Sequence, residues 1–369
     1  MHKKQVAILD VGSSKIRAVV GERGVNNTFI IKGDKSFKYE GFEDDKFFDV
    51  EEVKSTVLAC GDYLKNVVRG GVDTVYVGVP SPFTQVLVRD CQISFDKKKK
   101  ITEADIENLY DAGFVINSTK QTLINRSAIM YELNDYRRLS NPVGVSSEIL
   151  RGKLSFILCN NYFIEIFNPA LVACGFKKVE FVSTSLSEVL YLCDVESRCR
   201  MSLFVDVGYI SSTFTIVQGD GIVYERSFNY GGGYITAALS QIFNVNFEDA
   251  ENLKRKVNLS QITSGNVLEV LDDDNGRYYN IGEIKQVISR SLDDFCEEIS
   301  KCLEQILFVI PDYIPLRITG GGIAFIRGAK EHVANRLAMA VETVVPNVPL
   351  MDNPLESSCL SLLDIALQQ

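Results

Sequence analysis

An apolar run that breaks at Asp-Val-Gly and resumes as a second β run occurs twice in this chain, at Asp10–Gly12 and at Asp206–Gly208. No other feature narrows the possible folds so far. Laid over each other, the two stretches are "AILDVG-SSKIRAVVGERG" and "LFVDVG-YISSTFTIVQGD", almost 200 residues apart. One copy alone reads as a tight hairpin with a polar tip. Two copies read as an internal duplication, with two similar domains facing each other. A third glycine turn, in "RITGGGIAFIRGA", follows an apolar strand further along the chain.

The 369 residues exceed what one core ordinarily serves, and a hydrophobic content of 46% supplies ample material to bury. Strands are expected at 5–11 and 16–20. "FFDVEEVKSTVLACGDYLKNVV" predicts an amphipathic helix, because Val53, Val57, Leu58, Cys60, Leu64, Val67 and Val68 fall near a 3.6 period. "DTVYVGVP" predicts a strand ended by Pro80. Residues 83–177 differ in character. Strands such as "TQVLVRDCQISF" and "RGKLSFILC" surround the helix "TEADIENLYDAGFVI", which makes a small α+β unit inserted after the first one. Thr102 with Asp105 resembles a capping box, and Lys97–Lys100 reads as a solvated loop. Residues 244–283 predict a further small unit, with a helix in "NFEDAENLKRKV" and a hairpin turning near Asn275-Gly276. The Asp272–Asp274 cluster reads as a polar turn, since it lacks the spacing and closing Glu of a calcium loop. A long helix is expected at 283–308, and a strand, the triple-glycine turn and a helix follow Pro311.

Several function classes are disfavoured. The net charge is −9 without a large basic stretch, which argues against a nucleic-acid partner. Nine cysteines without a C-x-x-C pair read as reduced core thiols of a cytosolic protein. The two histidines, His2 and His332, leave little material for a histidine zinc site or a His-dependent triad. The apolar start stops at Asp10, too short for a signal peptide, and no run reaches the roughly 18 apolar residues of a transmembrane helix.

A phosphate chain needs backbone N–H groups at close range, help from a cation, and no Cβ in the way. Gly12, Ser13 and Ser14 supply donors and close approach, and Lys15 supplies charge. Asp10 and Asp206 would repel phosphate. They make sense as holders of a magnesium ion through its waters, because Mg²⁺ prefers oxygen and keeps several waters. Gly320, Gly321 and Gly322 would let a flat nucleoside lie against the backbone.

Two D-V-G turns followed by a T-G-G-G, in that order, resemble the actin–sugar kinase–Hsp70 ATPase superfamily. Within it the chain resembles the bacterial FtsA cell-division family over nearly its whole length. "LDVGSSKIRAVVGE" looks like the first phosphate motif and "RITGGGIAFIRGA" like the adenosine motif. "VYVGVPSPF" sits where the family leaves its first domain, "NPVGVSSEILRGKLSFI" resembles its inserted 1C subdomain, and "FEDAENLK" resembles its small 2B subdomain. The 1C insertion discriminates against actin, MreB, Hsp70 and sugar kinases, whereas the pilus protein family PilM shares a related layout. The resemblance implies an α/β, actin-like two-domain ATPase fold of duplicated ribonuclease-H-like domains, with 1C and 2B inserted. It places 1A at 1–82, 1C at 83–177, a return through 1A at 178–200, 2A at 201–243 and 284–330, 2B at 244–283, and a C-terminal return to 2A and 1A at 331–369. It implies ATP and Mg²⁺ as ligands. Gly12, Ser13, Ser14 and Lys15 would meet the β- and γ-phosphates, with Gly208 in the second phosphate motif. Asp10 and Asp206 would sit at the Mg²⁺, and Gly320 to Gly322 would face the adenosine. Glu251 and Lys254, three apart on one helix face, would reach the ribose or base. As partners it implies the tail of FtsZ on 2B, self-polymerisation, and other division proteins on 1C, at the division site on the cytoplasmic face of the membrane.

The sequence also departs from the family's pattern. The second phosphate motif usually reads D-I-G-G-G-T-T-D, and here it is "DVGYISST": Tyr209 and Ile210 replace two glycines, and Thr213 replaces the last Asp. Thr184 stands nearest the place where many relatives carry an acid, and Glu188 falls a helical turn later. Binding of ATP is therefore expected, with weak or absent hydrolysis. The final stretch, "NPLESSCLSLLDIALQQ", has apolar residues but no Lys or Arg, so it is expected to pack into the first domain instead of lying on a membrane. A PilM-like pilus adaptor is the rival reading, and a small-molecule kinase a more distant one.

Overall fold

The computed structural model describes residues 4–25, 28–68, 71–114, 119–261, 270–272 and 276–369. The duplication is present strand for strand. The first sheet runs, in spatial order, Lys178–Ser183, Thr74–Val79, Gln5–Val11, Lys15–Arg23 and Phe29–Lys38. The second runs Val341–Thr343, Leu316–Thr319, Ser202–Val207, Ser212–Gln218 and Gly221–Phe228. In both, the central strand pairs in parallel with the strand on one side and antiparallel with the hairpin partner on the other.

The central strands read as unbroken apolar runs because both of their faces are covered. Ala7, Leu9 and Val11 pack with the helices Val50–Val68 and Asn161–Ala173, while Val6 and Ile8 on the other face meet the helix Ser357–Gln368. In the second half, Leu203, Val205 and Val207 face a core built with the helices Gly232–Phe243, Phe247–Lys256, Ile281–Glu304 and Ala329–Leu337. The C-terminal helix thus sits on the first sheet, with Leu360, Leu362, Leu363 and Ala366 buried. No helix among the described residues is long and apolar enough to cross a membrane. All nine cysteines are free, and six of them are buried.

Between the helix-covered parts of the first half, the strands Thr84–Lys100, Ser146–Asn160, Gln121–Leu133 and Arg138–Leu139 form a separate antiparallel sheet. The helix Glu103–Gly113 covers one face, and the capping box at Thr102 and Asp105 is formed. Lys97–Lys100, expected as a loop, continue the strand: Lys100 pairs with Ser146 and Lys99 with Ser147. Their side chains are exposed, which gives the loop-like pattern, yet the backbone pairing runs on. The helix Asn161–Ala173, inside the expected 83–177 unit, belongs to the first core through Phe163, Phe167 and Leu171. In the small unit, Val270–Asp272 pairs with Tyr278–Asn280; Asp273, Asp274 and Asn275 lie outside the described residues.

The inserted sheet touches the second half directly. The Asp220 N–H donates to the Ala128 carbonyl at 3.1 Å, and the Ser155 hydroxyl donates to the Ile222 carbonyl at 2.8 Å. Ile157, Leu186 and Ile222 form a small apolar cluster beside these bonds. Gly219, at the tip of the Ser212–Phe228 hairpin, has φ +61°, and a Cβ there would come within 2.2 Å of the Ile129 carbonyl oxygen. A side chain at 219 therefore meets both a left-handed backbone and a fixed carbonyl. Gly219→Ala should destabilise the protein by about 2 kcal/mol or more. A fall in thermal melting temperature, larger than that of Ser155→Ala, is the expected result.

Candidate functional site

The two D-V-G turns have the same geometry. Gly12 N–H donates to the Lys15 carbonyl at 3.0 Å, and Gly208 N–H donates to the Ser211 carbonyl at 3.1 Å. They meet tip to tip across the cleft between the halves, where the Ile210 N–H donates to Ser13 Oγ at 3.1 Å. The first turn is held from behind by Tyr39, whose hydroxyl donates to the Gly12 carbonyl at 2.7 Å. A cavity of about 140 Å³ lies beneath the two tips. Asp10, Gly12, Ser13, Lys15, Asp206, Gly208, Gly320 and Gly321 all line it. These residues come from positions spread over more than 300 residues of sequence, and the two sheets bring them together at the ends of their central strands.

Four expected site residues lie outside that lining. Ser14 points its carbonyl at the Tyr39 N–H. Gly322 N–H donates to the Val207 carbonyl at 2.8 Å. Lys254 is buried, and its ammonium donates to the Gly232 carbonyl at 3.0 Å and to Thr236 Oγ1 at 2.9 Å while pairing with Glu251 at 2.6 Å. Glu251 accepts from Thr236 at 2.7 Å and from Arg255 at 2.9 Å. Both side chains are engaged in fastening the helix Phe247–Lys256 to the start of the helix Gly232–Phe243.

The cavity holds one acid that the sequence had placed aside. The helix Thr184–Leu192 begins at the cleft, capped by the Ser183 side chain on the Leu186 N–H. Helical spacing puts Thr184, Ser185 and Glu188 on one face, and all three line the cavity. Glu188 is only 1% exposed, and its Oε1 has no hydrogen-bond partner among the described residues. The signal was legible in the four-residue spacing from Thr184. Ser358 carried none: its hydroxyl donates to Asp10 Oδ1 from 348 positions away.

Three carboxyls thus line one cavity. Burial first, then the charges of Asp206 and Asp10, push the Glu188 carboxyl well above its ordinary range. Asp206 is pushed up to about 7, by burial and then by Asp10. Asp10 is raised by burial, against the opposing Ser358 hydrogen bond. Among the described residues no group of three or more His, Cys, Asp or Glu side chains is gathered closely enough to hold a metal ion directly, so a divalent cation here would meet Asp10 and Asp206 only through its waters.

A family model described as type IV pilus assembly protein PilM matches residues 188–354. FtsA of Escherichia coli K12 is 22% identical over 257 residues, which cover 68% of this chain and 60% of that protein. FtsA of Buchnera aphidicola subsp. Baizongia pistaciae is 20% identical over 284 residues, covering 74% of this chain and 66% of the relative. Among solved structures, a PilM–PilN type IV pilus biogenesis complex superposes with a TM-score of 0.64 at 16% identity, over 100% of this chain and 99% of that one. MreB5 of Spiroplasma citri bound to AMPPNP superposes with a TM-score of 0.54 at 13% identity, over 99% and 96%. The chain has the actin-like ATPase fold and is similar to FtsA. In that fold the tip-to-tip turns and the acids behind them occupy the cleft between the two duplicated halves.

The raised acid gives a pH dependence with a definite sign. The folded value of Asp206, about 7, exceeds the unfolded value near 4, so the folded state binds the extra proton. Its contribution to stability is complete below about pH 4 and is lost as the pH rises toward 7. In chelator, the melting temperature should fall between about pH 5.5 and about pH 8, and Asp206→Asn should flatten that fall. Parallel slopes in the two proteins would remove the electrostatic strain assigned to this site.

Proposed function

We propose that this chain is an ATP- and Mg²⁺-binding, actin-like adaptor of the cell-division ring. The pair of D-V-G turns touching across the cleft with Asp10 and Asp206 behind them supports the nucleotide part of this reading, and the similarity to FtsA supports the division part. The Ser13 hydroxyl and the Lys15 ammonium would meet the phosphates, and Gly12 and Gly208, whose N–H groups close their own turns, would let them approach, while Ser14 lies outside the lining. Asp10 and Asp206 would hold the waters of a magnesium ion, which when bound screens the phosphate charge. Gly320 and Gly321 would face the nucleoside. With Glu251, Lys254 and Gly322 fastened elsewhere, their part is to fix the wall of the cleft. Glu188 would be the first residue to change if turnover proved fast, but its raised carboxyl favours the protonated form, which cannot accept a proton. With Thr184 and Thr213 standing where many relatives place acids, turnover is expected below about one per second, slower than ordinary enzymes.

As partners we propose the FtsZ tail on the helix Phe247–Lys256, further copies of the chain, and other division proteins on the inserted sheet, at the cytoplasmic face of the division site. The helix presents Arg255 and Lys256 at its surface, which suits a short peptide with acids and large apolar anchors. The second reading is a pilus-assembly adaptor, favoured by the family model over 188–354 and by the full-length superposition on the PilM–PilN complex. Its partner would be a short peptide of a pilus membrane protein. Pull-down with both peptides separates the two. Changing Arg255 and Lys256 to Glu should weaken binding of the FtsZ tail and its dependence on salt; untouched binding would move the peptide site elsewhere.

Nucleotide binding has its own test. A Cβ at Gly321 meets only the flexible Leu355 side chain, and no backbone lies within 4 Å. Gly321→Val should therefore fold normally and lose ATP in calorimetric titration. ATP affinity equal to wild type in the folded variant would overturn the assignment of this turn to the nucleoside.

A further inference from the structure

After the strand Val341–Thr343 the chain leaves the second half and crosses to the first, where the helix Ser357–Gln368 packs. The crossing segment passes over the mouth of the cleft. Its one-turn 3₁₀ helix, Pro354–Glu356, is capped by Asn353, whose side chain accepts from the Leu355 N–H at 3.0 Å. Ser357 shares a hydrogen bond of 2.6 Å with Thr319 on the second half. Ser358 donates to Asp10 on the first half, and Glu356 pairs with Arg17 at 2.8 Å. The segment is therefore pinned to both halves by polar contacts.

Leu355 stands out in it. It is 47% exposed and belongs to none of the apolar cores. Its Cδ2 fills the space in front of Gly321, within 2.2 Å of where a Cβ would be. That is the face the triple-glycine turn leaves open for a flat ring. Pro354, Leu355 and Ser358 all line the cavity, and about 140 Å³ remains. Sites that hold small ligands usually measure about 300–1,000 Å³.

We propose that Asn353–Ser358 is a strap that competes with nucleotide for the cleft. Leu355 takes the place of the base against Gly321, and Ser358 takes an oxygen of Asp10. Nucleotide enters when the strap lifts, and lifting it frees the crossing between the halves. The proposal rests on the nucleotide reading of the cleft and adds its regulation. The apparent affinity of such a site falls by the fraction of molecules with the strap open.

The test compares wild type, Leu355→Ala and Leu355→Phe, with ATP and Mg²⁺ in calorimetric titration and with hydrogen exchange over residues 350–358. Leu355→Ala should bind ATP about tenfold more tightly than wild type, and Leu355→Phe more weakly. Saturating ATP should raise exchange in the strap of wild type. Equal ATP affinity in wild type and Leu355→Ala, with strap exchange unchanged by ATP, overturns the strap and leaves the nucleotide site standing. ATP bound by none of the three, all of them folded by circular dichroism, overturns the nucleotide reading and the strap with it. ATP bound by Leu355→Ala alone supports both.

Discussion

Backbone packed directly on backbone fixes the cleft wall of the second half. Gly232 N–H donates to the Gly208 carbonyl at 2.9 Å, and Gly322 N–H donates to the Val207 carbonyl at 2.8 Å. A Cβ at 232 would come within 2.3 Å of the Gly322 carbonyl, so no side chain can stand between these turns. Each bond adds only about 1 kcal/mol net, but each buried amide left without a partner would cost more. Three turns distant in sequence are thereby locked into one surface. The buried Lys254 completes it by holding the Gly232 carbonyl from below.

That tightly packed wall bears on the acids beside it. Arg17 stands opposite Asp10 in the strand register, yet its guanidinium turns to Asp34 and Glu356. Asp10 receives a hydroxyl from Ser358 in place of a full countercharge. Asp206 and Glu188 share the same enclosure, so their carboxyls rise together. Acids enclosed together cost folding energy whenever they ionise together, because burial and mutual repulsion both disfavour the charged forms.

The duplication was legible because the residues that define it are local. Strand, acid and glycine sit within seven or eight positions, and burial on both faces makes the strands continuous apolar runs. The capping box at Thr102 and the packing of the C-terminal helix were legible for the same reason. What escaped depended on contacts between distant parts. Nothing near Ser358 or Leu355 indicates Asp10 or Gly321 as neighbours. Glu188 was visible as a spacing, but the depth of the cavity that admits it was not. Lys97–Lys100 misled because charge reports on the side chain, while strand pairing is a property of the backbone. Glu251 and Lys254 pointed to a helix face, and only the packing of that helix turns the lysine inward.

The contact between the inserted sheet and the hairpin at Gly219 has a mechanical consequence. Two domains joined only at a hinge can pivot freely, but here a strut runs from one to the other outside the hinge. At its root, Thr84 donates to Glu225 of the second half at 2.8 Å, and Ser81 beside it lines the cavity. Any pivot must either break these bonds or carry the inserted sheet along as a lever. Motion of a few ångströms at the cleft would then arrive at the far, lysine-rich end of the Thr84–Lys100 strand as a swing, amplified by the length of 17 residues.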